Sequence, residues 1–307
     1  MPCYHPIEAW YSKHVNESGK RSLVFKEKSG QGQSIEIPCQ KCIGCKLEYS
    51  RQWAIRGTHE NQMHEESYFL TLTYNEEHLP QYESLQKADF QDFMKRYRKS
   101  IAPRKIRYFM CGEYGHNDDQ LAANALGRPH YHAIIWGHEF NDLEQIHDSQ
   151  AGEAQFTSPT LSKIWGKGFI TIGAVNFKSI SYVARYVTKK INGDQADDHY
   201  QKISLTTGEL YPVIPEYATQ SRRPGIGYTW YQKYKGDCRK DFIQVNGQKI
   251  KPPKYYDQFR EQDDPDHMEV TKLNRAEHAR INNEGLLRNY TKEEIKSRQL
   301  DKLMRTL

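Results

Sequence analysis

Short runs of aromatic and β-branched residues, separated by helical patterns, constrain the fold of this chain more than any other feature of its sequence. Such runs predict strands. They are YFLTLTY at residues 68–74, KIRYFMCGE at 105–113, HYHAIIW at 130–136 and GFITIGAV at 168–175. A β-sheet is therefore predicted at the centre of the fold.

Helical patterns lie between and after these strands. Residues 88–100 carry apolar side chains at helical spacing, namely Phe90, Phe93, Met94 and Tyr97. Ser158 and Pro159 begin a short helix that ends near Gly166, and another helix is predicted over residues 178–191. The order strand, helix, strand, strand, helix, strand, helix predicts an α+β fold in which helices pack on an antiparallel sheet.

The sequence on either side of this pattern predicts two extensions of the core. Residues 1–60 are interpreted as an N-terminal extension, irregular at first with Gly30 and Gly32 in a loop and then helical over 46–56. The core is assigned to residues 61–240. Residues 241–307 are charged and are predicted to form a largely helical C-terminal tail.

Composition excludes several classes of protein. The chain of 307 residues can bury a core of ordinary size, and its aromatic content of 12% argues against global disorder despite a mean hydropathy of −0.90. It has no apolar run of membrane-spanning length, and the beginning MPCYHPIEAW lacks the pattern of a signal peptide. We therefore expect a cytosolic protein with no membrane partner.

The net charge of +5 suits a polyanionic partner without requiring one. Basic residues alternate with aromatic ones in several segments, which favours phosphate contact combined with base stacking. The alternative is that the charges are solvated while the aromatic rings lie in the core. The segments contain Lys95, Arg96, Tyr97, Arg98, Lys99, Arg104, Lys105, Arg107, Tyr108, Tyr186, Lys189, Lys190, Arg222, Arg223, Tyr228, Trp230, Tyr231, Tyr234, Arg239 and Lys240.

A possible metal site is indicated by His130 and His132, which flank Tyr131 on a predicted strand. Alternation along the strand places both imidazoles on one face. Glu113 ends the preceding strand and can complete a set of two histidines and one acid, which leaves positions on a divalent ion open for water and a phosphodiester oxygen. The alternatives are a pair of ordinary surface histidines and a solvated carboxylate at a strand end.

A candidate nucleophile lies on the predicted helix that contains YVARYVTKK. Ile180, Val183, Ala184, Val187 and Ile191 form its apolar stripe, at about 100° per residue. Tyr182 and Tyr186 share the opposite side, and Lys189 lies one turn further on. A phenol titrates near pH 10, so a cation such as Lys189 or a metal ion is needed to favour its attack on a phosphodiester. The alternative is that these are exposed aromatics that stiffen a surface helix.

The cysteines suggest a second metal site. Cys39, Cys42 and Cys45 form a CxxCxxC pattern, and Cys3 can supply a fourth thiolate to a structural Zn²⁺. Reduced thiols at the start of a helix, or an iron–sulfur cluster, are the alternatives. Two further cysteines, Cys111 and Cys238, are interpreted as buried or incidental thiols.

These motifs resemble a known family. The strand FLTLTY, the block GRPHYHAIIWG and the helix YVARYVTKK, in this order and at this spacing, look like the three motifs of rolling-circle replication initiators of the HUH superfamily. With PCQKCIGCKLEYSRQWAIR and RRPGIGYTWYQKY, the similarity covers about residues 1–240. The chain thus resembles the replication initiation proteins of gokushoviruses, which are single-stranded DNA phages of the Microviridae.

The resemblance implies a Rep-type, RRM-like core that nicks a single-stranded viral origin, becomes attached to the 5′ end and later joins a unit-length circle in the host bacterial cytoplasm. It implies Mg²⁺ or Mn²⁺ as cofactor and a host helicase and DNA polymerase as partners. By residue-wise correspondence, His130, His132 and Glu113 are metal ligands, and Tyr186, Tyr182 and Lys189 are catalytic. The insert between Glu113 and His130 is longer than in compact viral initiators.

Two other functions are compatible with the residues. One is a non-catalytic module that binds single-stranded DNA, in which the tyrosines stack on bases. The other is a relaxase or transposase that uses the same chemistry in different biology. Formation of a covalent adduct with DNA distinguishes the enzymes from the binding module.

Overall fold

The secondary structure alternates between strands and helices along most of the chain. The strands are β1 (Ile7–Val15), β2 (Arg21–Val24), β3 (Gly30–Ile37), β4 (Ser67–Tyr74), β5 (Arg107–His116), β6 (Leu126–Trp136), β7 (Glu144–Asp148), β8 (Ala154–Thr157), β9 (Gly168–Ala174), β10 (Gln201–Ile203), β11 (Leu210–Pro212), β12 (Tyr217–Gln220), β13 (Ile243–Val245) and β14 (Gln248–Ile250). The helices are α1 (Ile43–Asn61), α2 (Lys87–Ser100), α3 (Pro159–Trp165), α4 (Phe177–Lys189), α5 (Gln195–His199), α6 (Tyr228–Tyr234), α7 (Lys254–Asp263), α8 (Pro265–Ile281) and α9 (Leu286–Met304).

This computed structural model describes residues 3–17, 19, 21–116, 126–148, 152–189, 195–203, 207–245, 247–281 and 285–304. For residues 116, 147, 186–189, 195 and 301–304 it describes the backbone alone. The chain divides into two units, one of residues Ser50–Asp263 and one that combines Met1–Tyr49 with Asp264–Leu307. Among the described helices, none combines the length and the apolar character that crossing a membrane requires.

A seven-stranded antiparallel sheet organises the larger unit. Its strands lie in the order β12-β5-β6-β4-β9-β8-β7. The α+β class and the four predicted strands are confirmed, whereas β7, β8 and β12 at the sides of the sheet were not predicted. Those three are short, and short strands carry little periodic signal.

The two faces of this sheet are covered by different helices. On one face, Leu70 and Leu72 of β4 pack in a cluster with Phe93 of α2 and Trp165 of α3. On the other face, Ile134 of β6 packs in a cluster that contains Ile180, Val183 and Ala184 of α4. Helix α1 joins this second cluster through two side chains, Trp53 and Ala54. The second face therefore carries α4, which is the predicted nucleophile helix.

Close packing of α1 on α4 depends on Gly57. A Cβ atom at this position would lie 2.5 Å from Cγ2 of Ile180, which is closer than real Cβ contacts. Ile180 is 1% exposed, so it has little room to move aside. The absence of a side chain at Gly57 thus allows α1 to hold α4 against the sheet.

The N-terminal region differs from the sequence prediction. Residues 7–37 were expected to be irregular, but they form a three-stranded antiparallel sheet in the order β2-β1-β3. Its strands expose most of their side chains, so they lack the apolar alternation that identifies a strand. Gly30 and Gly32 both lie in β3 and not in a loop. A Cβ on Gly30 would lie 2.3 Å from Cβ of Trp10, so this glycine marks a close strand crossing.

Candidate metal centre

Strand register brings the predicted metal ligands together. Glu113 of β5 is the direct partner of His130 of β6, and His132 follows two residues later on the same strand. Paired residues and residues two apart project from the same face of a sheet. The three side chains therefore share the face that carries α4, even though 16 residues separate Glu113 from His130 along the chain.

A single carboxylate oxygen is the centre of the group. Oε1 of Glu113 lies 2.8 Å from Nε2 of His130 and 2.9 Å from Nε2 of His132. The hydroxyl of Tyr182 donates to the same oxygen at 3.1 Å and lies 3.4 Å from Nε2 of His132. Glu113 and His132 are buried, whereas the side chain of His130 is 17% exposed. The group is thus held by the protein on one side and reaches the surface at His130.

The contacts of the second ring nitrogens orient both imidazoles. Nδ1 of His132 lies 2.9 Å from the hydroxyl of Thr71, and Nδ1 of His130 lies 3.1 Å from the carbonyl oxygen of Arg128. A carbonyl can only accept, so Nδ1 of His130 carries the proton. Nε2 of the same ring is thereby directed at the Glu113 carboxylate.

Glu113 is ionised across the physiological pH range. Its burial opposes ionisation, but hydrogen bonds from His130 and His132 and their charges outweigh burial and lower the pKa of Glu113 to about 2. The carboxylate therefore carries a negative charge without help from an ion, and it attracts a cation to the group.

The donor set fits a divalent ion. The ligand atoms of Glu113, His130 and His132 all lie within 4.8 Å of one another. Adjacent donors on an octahedral ion with bonds of about 2.1 Å lie about 3 Å apart, close to the observed separations. Two imidazoles and one carboxylate on one side of an ion leave its other positions open.

Helix α4 places a phenol beside this group. Ile180, Val183 and Ala184 are buried against the sheet, as the predicted stripe requires. Tyr182 was predicted on the opposite side of the helix, but it packs against the same cluster, and its ring meets the ring of His132 edge-on at 5.0 Å between centroids. The predicted positions Tyr186 and Lys189 belong to the backbone of α4, but their side chains lie outside the described part of the chain, as do residues 190 and 191.

Two residues of the site were missed by sequence reasoning. Thr71 orients His132, and Phe69 stacks on the ring of His132 at 5.4 Å with an interplanar angle of 14°. Both lie on β4, whose side chains alternate between the apolar core and the face of the site. The alternation in FLTLTY could have identified them, since Leu70 and Leu72 assign the other residues to the opposite face.

The cysteines of the smaller unit form a separate group. All four Sγ atoms, of Cys3, Cys39, Cys42 and Cys45, lie within 4.8 Å of one another. The Sγ–Sγ distances are 3.9 Å between Cys42 and Cys3 and 4.0 Å between Cys39 and Cys45. In a tetrahedral site with Zn–S bonds of about 2.3 Å, sulfurs lie about 3.8 Å apart. The arrangement thus has the dimensions of a zinc site.

Hydrogen bonds from the backbone stabilise negative charge on the sulfurs of this group. Backbone N–H groups donate to the sulfurs, including that of Cys39 to Cys3 at 3.2 Å and that of Cys42 to Cys39 at 3.3 Å. Burial opposes ionisation of Cys39, but backbone N–H groups outweigh it and lower the pKa of this thiol to about 7. Burial raises the pKa of Cys3 and Cys45, and contacts with neighbouring thiols contribute to the increase. Four thiols this close cannot all ionise without a cation to compensate them.

Three of the aromatic residues in the basic segments do not face solvent. Tyr97, Trp230 and Tyr231 are buried in the core. The prediction that these rings stack on bases is therefore wrong, and the alternative, that they belong to the core, is confirmed. Burial is favoured for such large apolar rings. Tyr234 is 37% exposed. Cys111 and Cys238 are fully buried, as predicted.

Comparisons with known proteins give consistent matches. The family model for the replication-associated protein ORF2/G2P matches residues 67–191. The chain is 32% identical to the replication-associated protein VP4 of Bdellovibrio phage phiMH2K over 276 residues, which is 87% of this chain and 79% of that protein. It is 34% identical to the replication-associated protein ORF2 of Spiroplasma virus 4, over 74% of this chain and 68% of that protein.

A third relative matches over a shorter region. The replication-associated protein ORF4 of Chlamydia phage 1 is 32% identical over 51% of this chain and 39% of its own length. Among solved structures, none matches the chain. The matched region of the family model, residues 67–191, contains the sheet ligands and α4 together.

Proposed function

Because the chain belongs to the replication-associated proteins of the Microviridae, we propose that it initiates rolling-circle replication by metal-dependent nicking and joining of single-stranded DNA. The observation that carries this proposal is the position of the Tyr182 hydroxyl, 3.1 Å from Glu113 Oε1 and 3.4 Å from Nε2 of His132. A phenol so close to two potential metal ligands is suited to attack on a phosphodiester.

The metal ligands in this proposal are Glu113, His130 and His132, and the ion is Mg²⁺ or Mn²⁺. When bound, the ion supplies Lewis-acid stabilisation of charge on the phosphodiester. Thr71 and the carbonyl of Arg128 hold the imidazoles with Nε2 directed towards Glu113, where they would bind the ion. The side of the group that His130 exposes is the side from which DNA enters.

The nucleophile is a tyrosine of α4. Its phenolic oxygen forms a bond to phosphorus while the bond from phosphorus to the 3′ oxygen breaks. The phenol loses a proton and the leaving 3′ oxygen gains one, so the products are a 5′-phosphotyrosine and a free 3′-hydroxyl. The ester bond is exchanged and not hydrolysed, so joining needs no energy source. Tyr182 and Tyr186 allow two successive transfers, and Lys189 stabilises the developing charge.

The cysteine group is proposed to bind a structural Zn²⁺. Its sulfur spacing, its N–H···S bonds and its four thiols support a closed site with no open position. A closed site of this kind stabilises the fold around it, and it does not take part in the chemistry at the sheet.

The proposed substrate is the single-stranded origin of a small viral genome, and the proposed place of action is the infected bacterium. Nicking leaves a 3′-hydroxyl, which a polymerase can extend while a helicase separates the strands. We propose that a host helicase and a host DNA polymerase act with this protein, as the family resemblance implies.

Adduct formation tests the proposal. The protein is incubated with a labelled single-stranded viral origin oligonucleotide and Mn²⁺, denatured, and separated by gel electrophoresis. We expect a DNA-linked protein band with the wild type. It should be absent after chelation with EDTA and absent from the double variant Tyr182→Phe, Tyr186→Phe. Tyr234→Phe, which removes the hydroxyl of an exposed tyrosine on α6, is the matched control and should keep the band.

The single variants separate the roles of the two tyrosines. If one tyrosine makes the first attack, its Phe variant should form no adduct at early times, whereas the other variant should form the adduct but fail to join circles. An adduct of normal yield from the double variant would contradict the proposal. Binding of the oligonucleotide without any adduct in the wild type would favour the non-catalytic DNA-binding module.

A further inference from the structure

An exposed aromatic ring lies on the same sheet face as the candidate metal centre. Phe169 of β9 is 69% exposed, although the next residue along the strand, Ile170, is buried in the core. Exposure of a ring of this size forgoes the free energy that its burial would contribute. A single exposed ring needs no explanation by itself, but the position of this one is specific.

Strand register places Phe169 in one row with the ligands. Glu113 pairs with His130, His130 pairs with Thr73, and Thr73 pairs with Phe169. Directly paired residues project from the same face. Two strand spacings separate Phe169 from His130, which is about 10 Å. Three stacked nucleotides, at about 3.4 Å each, cover the same length.

The backbone holds this ring in a fixed place. The backbone N–H of Asn75 donates to the carbonyl of Lys167 at 3.0 Å, and the indole of Trp165 donates to the carbonyl of Thr73 at 2.9 Å. Gly168 has a φ of +151°, and its Cβ would lie 2.3 Å from the Thr73 carbonyl oxygen. The start of β9 is therefore packed directly on the end of β4, and Phe169 projects from a rigid strand.

A positive charge accompanies the ring. Arg128 of β6 donates to the carbonyl of Tyr74, the residue that pairs with Gly168 next to Phe169. Its guanidinium also pairs with Glu76, whose side chain is 84% exposed. Exposed ion pairs contribute little to stability, so a phosphate can replace Glu76 at small cost. A ring for a base and a cation for a phosphate thus flank the end of β4.

We propose that Phe169 is a positioning residue for the DNA substrate, on which an unpaired base stacks close to the nucleotide that is cut. The proposal rests on the proposed function, because it takes single-stranded DNA as the ligand of this face. It explains why an apolar side chain is displayed beside polar ligands. Base stacking on an aromatic side chain tolerates any base, so Phe169 fixes the path of the strand and not its sequence.

Binding measurements test this role without the chemistry. Fluorescence anisotropy with a short fluorescein-labelled oligo(dT), in EDTA so that no cleavage occurs, gives the Kd of each variant. We expect Phe169→Ala to weaken binding by roughly 5- to 150-fold, the usual range for losing one stacked base. Phe169→Trp should restore binding, and Phe169→Leu should not. Phe25→Ala, which removes a 63% exposed phenylalanine in the other unit, is the matched control and should bind as the wild type does.

A second measurement distinguishes positioning from structure. In adduct formation with the origin oligonucleotide, Phe169→Ala should need a higher DNA concentration for half-maximal rate. Its rate constant at saturating DNA should be nearly unchanged. Unchanged DNA affinity in Phe169→Ala, or full affinity in Phe169→Leu, would overturn the proposal. A wild-type protein that binds oligo(dT) but forms no adduct would contradict the proposed chemistry and leave stacking intact. A wild type that does not bind single strands would overturn both.

Discussion

The two candidate ion-binding groups of this chain differ in donor chemistry and in closure. The group on the sheet offers two imidazoles and one carboxylate and is exposed at His130. The group in the smaller unit offers four sulfurs that surround their common centre. Soft thiolates in a complete tetrahedron are typical of structural zinc, whereas an incomplete nitrogen and oxygen set is typical of an ion that acts on a substrate. We therefore propose a stabilising role for the cysteine group and a reactive role for the sheet group.

The origin of the ligands differs in the same way. Cys39, Cys42 and Cys45 lie close together in the sequence, just before and at the start of α1, so their spacing is local. The sheet group instead depends on pairing between β5 and β6, and α4 adds Tyr182 from a third element. The geometry of the proposed reactive group is thus fixed by strand register.

The largest effect is expected from the cysteine group. Cys42→Ser removes one of four ligands, and structural zinc sites contribute on the order of 10 kcal/mol to the folding of the unit that holds them. We expect the variant to lose one molar equivalent of zinc in elemental analysis and to become sensitive to proteolysis within residues 3–49. Cys238→Ala, at a buried cysteine outside the group, should keep its zinc. Full zinc content with unchanged stability in Cys42→Ser would contradict the proposal that the cysteine group is a structural zinc site.

The second effect is the loss of one sheet ligand. His132→Ala should lower the rate of adduct formation by at least about 100-fold, because the ion supplies several kcal/mol of transition-state stabilisation. Its zinc content and thermal stability should stay close to those of the wild type. His14→Ala, at an exposed histidine of β1, is the control. A loss of zinc in His132→Ala with normal adduct formation would reverse the assignment of the two groups.

A smaller effect is expected for a residue that contacts a metal ligand and not the ion itself. Thr71→Val keeps the shape of the side chain but removes the hydroxyl that lies 2.9 Å from Nδ1 of His132. Loss of such a partner commonly costs 10- to 100-fold in metal affinity, so we expect a higher Mn²⁺ concentration for half-maximal adduct formation, by roughly 10-fold or more. Thr171→Val is the matched control because Thr171 pairs with Thr71 on the neighbouring strand. Equal Mn²⁺ dependence of the two variants would show that Thr71 has no such role.

The smallest effect concerns a buried histidine outside both groups. His59 stacks on Trp230 at 3.5 Å, its Nδ1 lies 2.9 Å from the Tyr256 hydroxyl, and burial lowers its pKa to about 3. The unfolded chain binds a proton at His59 near pH 6.5, whereas the folded protein does not. Stability from this site is therefore complete above about pH 6.5 and decreases as the pH falls towards 3.

His59→Phe should remove this dependence. Between pH 7.5 and pH 5, the free energy of unfolding of the wild type should fall by about 2 kcal/mol more than that of the variant, at about 1.4 kcal/mol per pH unit. Urea unfolding at both pH values measures the difference. Equal pH dependence of the wild type and the variant would mean that His59 is protonated in the folded protein. Burial without a neighbouring carboxylate would then not distinguish His59 from the ligand histidines.

The sequence predicted the main sheet and the ligand residues because both leave local patterns. Aromatic and β-branched runs identify β4, β6 and β9, and alternation places His130 and His132 on one face. Register could not be predicted in this way, and it is register that sets Glu113 opposite His130.

Tertiary burial was also beyond local patterns. The rings of Tyr97 and Trp230 occur in basic segments that suit DNA contact, but long-range packing buries them. The grouping of the N-terminal strands with α8 and α9 likewise depends on contacts between distant residues, such as His5 with Glu293. The predicted boundaries at residues 60 and 240 stay predictions.

In the proposed reaction, a tyrosine of α4 attacks DNA beside the ion that the sheet residues would hold. Mass spectrometry of the adduct, after digestion with trypsin and nuclease, identifies the residue that carries the nucleotide. We expect a nucleotide on Tyr182 or Tyr186 and nowhere else. A nucleotide linked to a residue outside α4, from an adduct that still requires Glu113, His130 and His132, would contradict it.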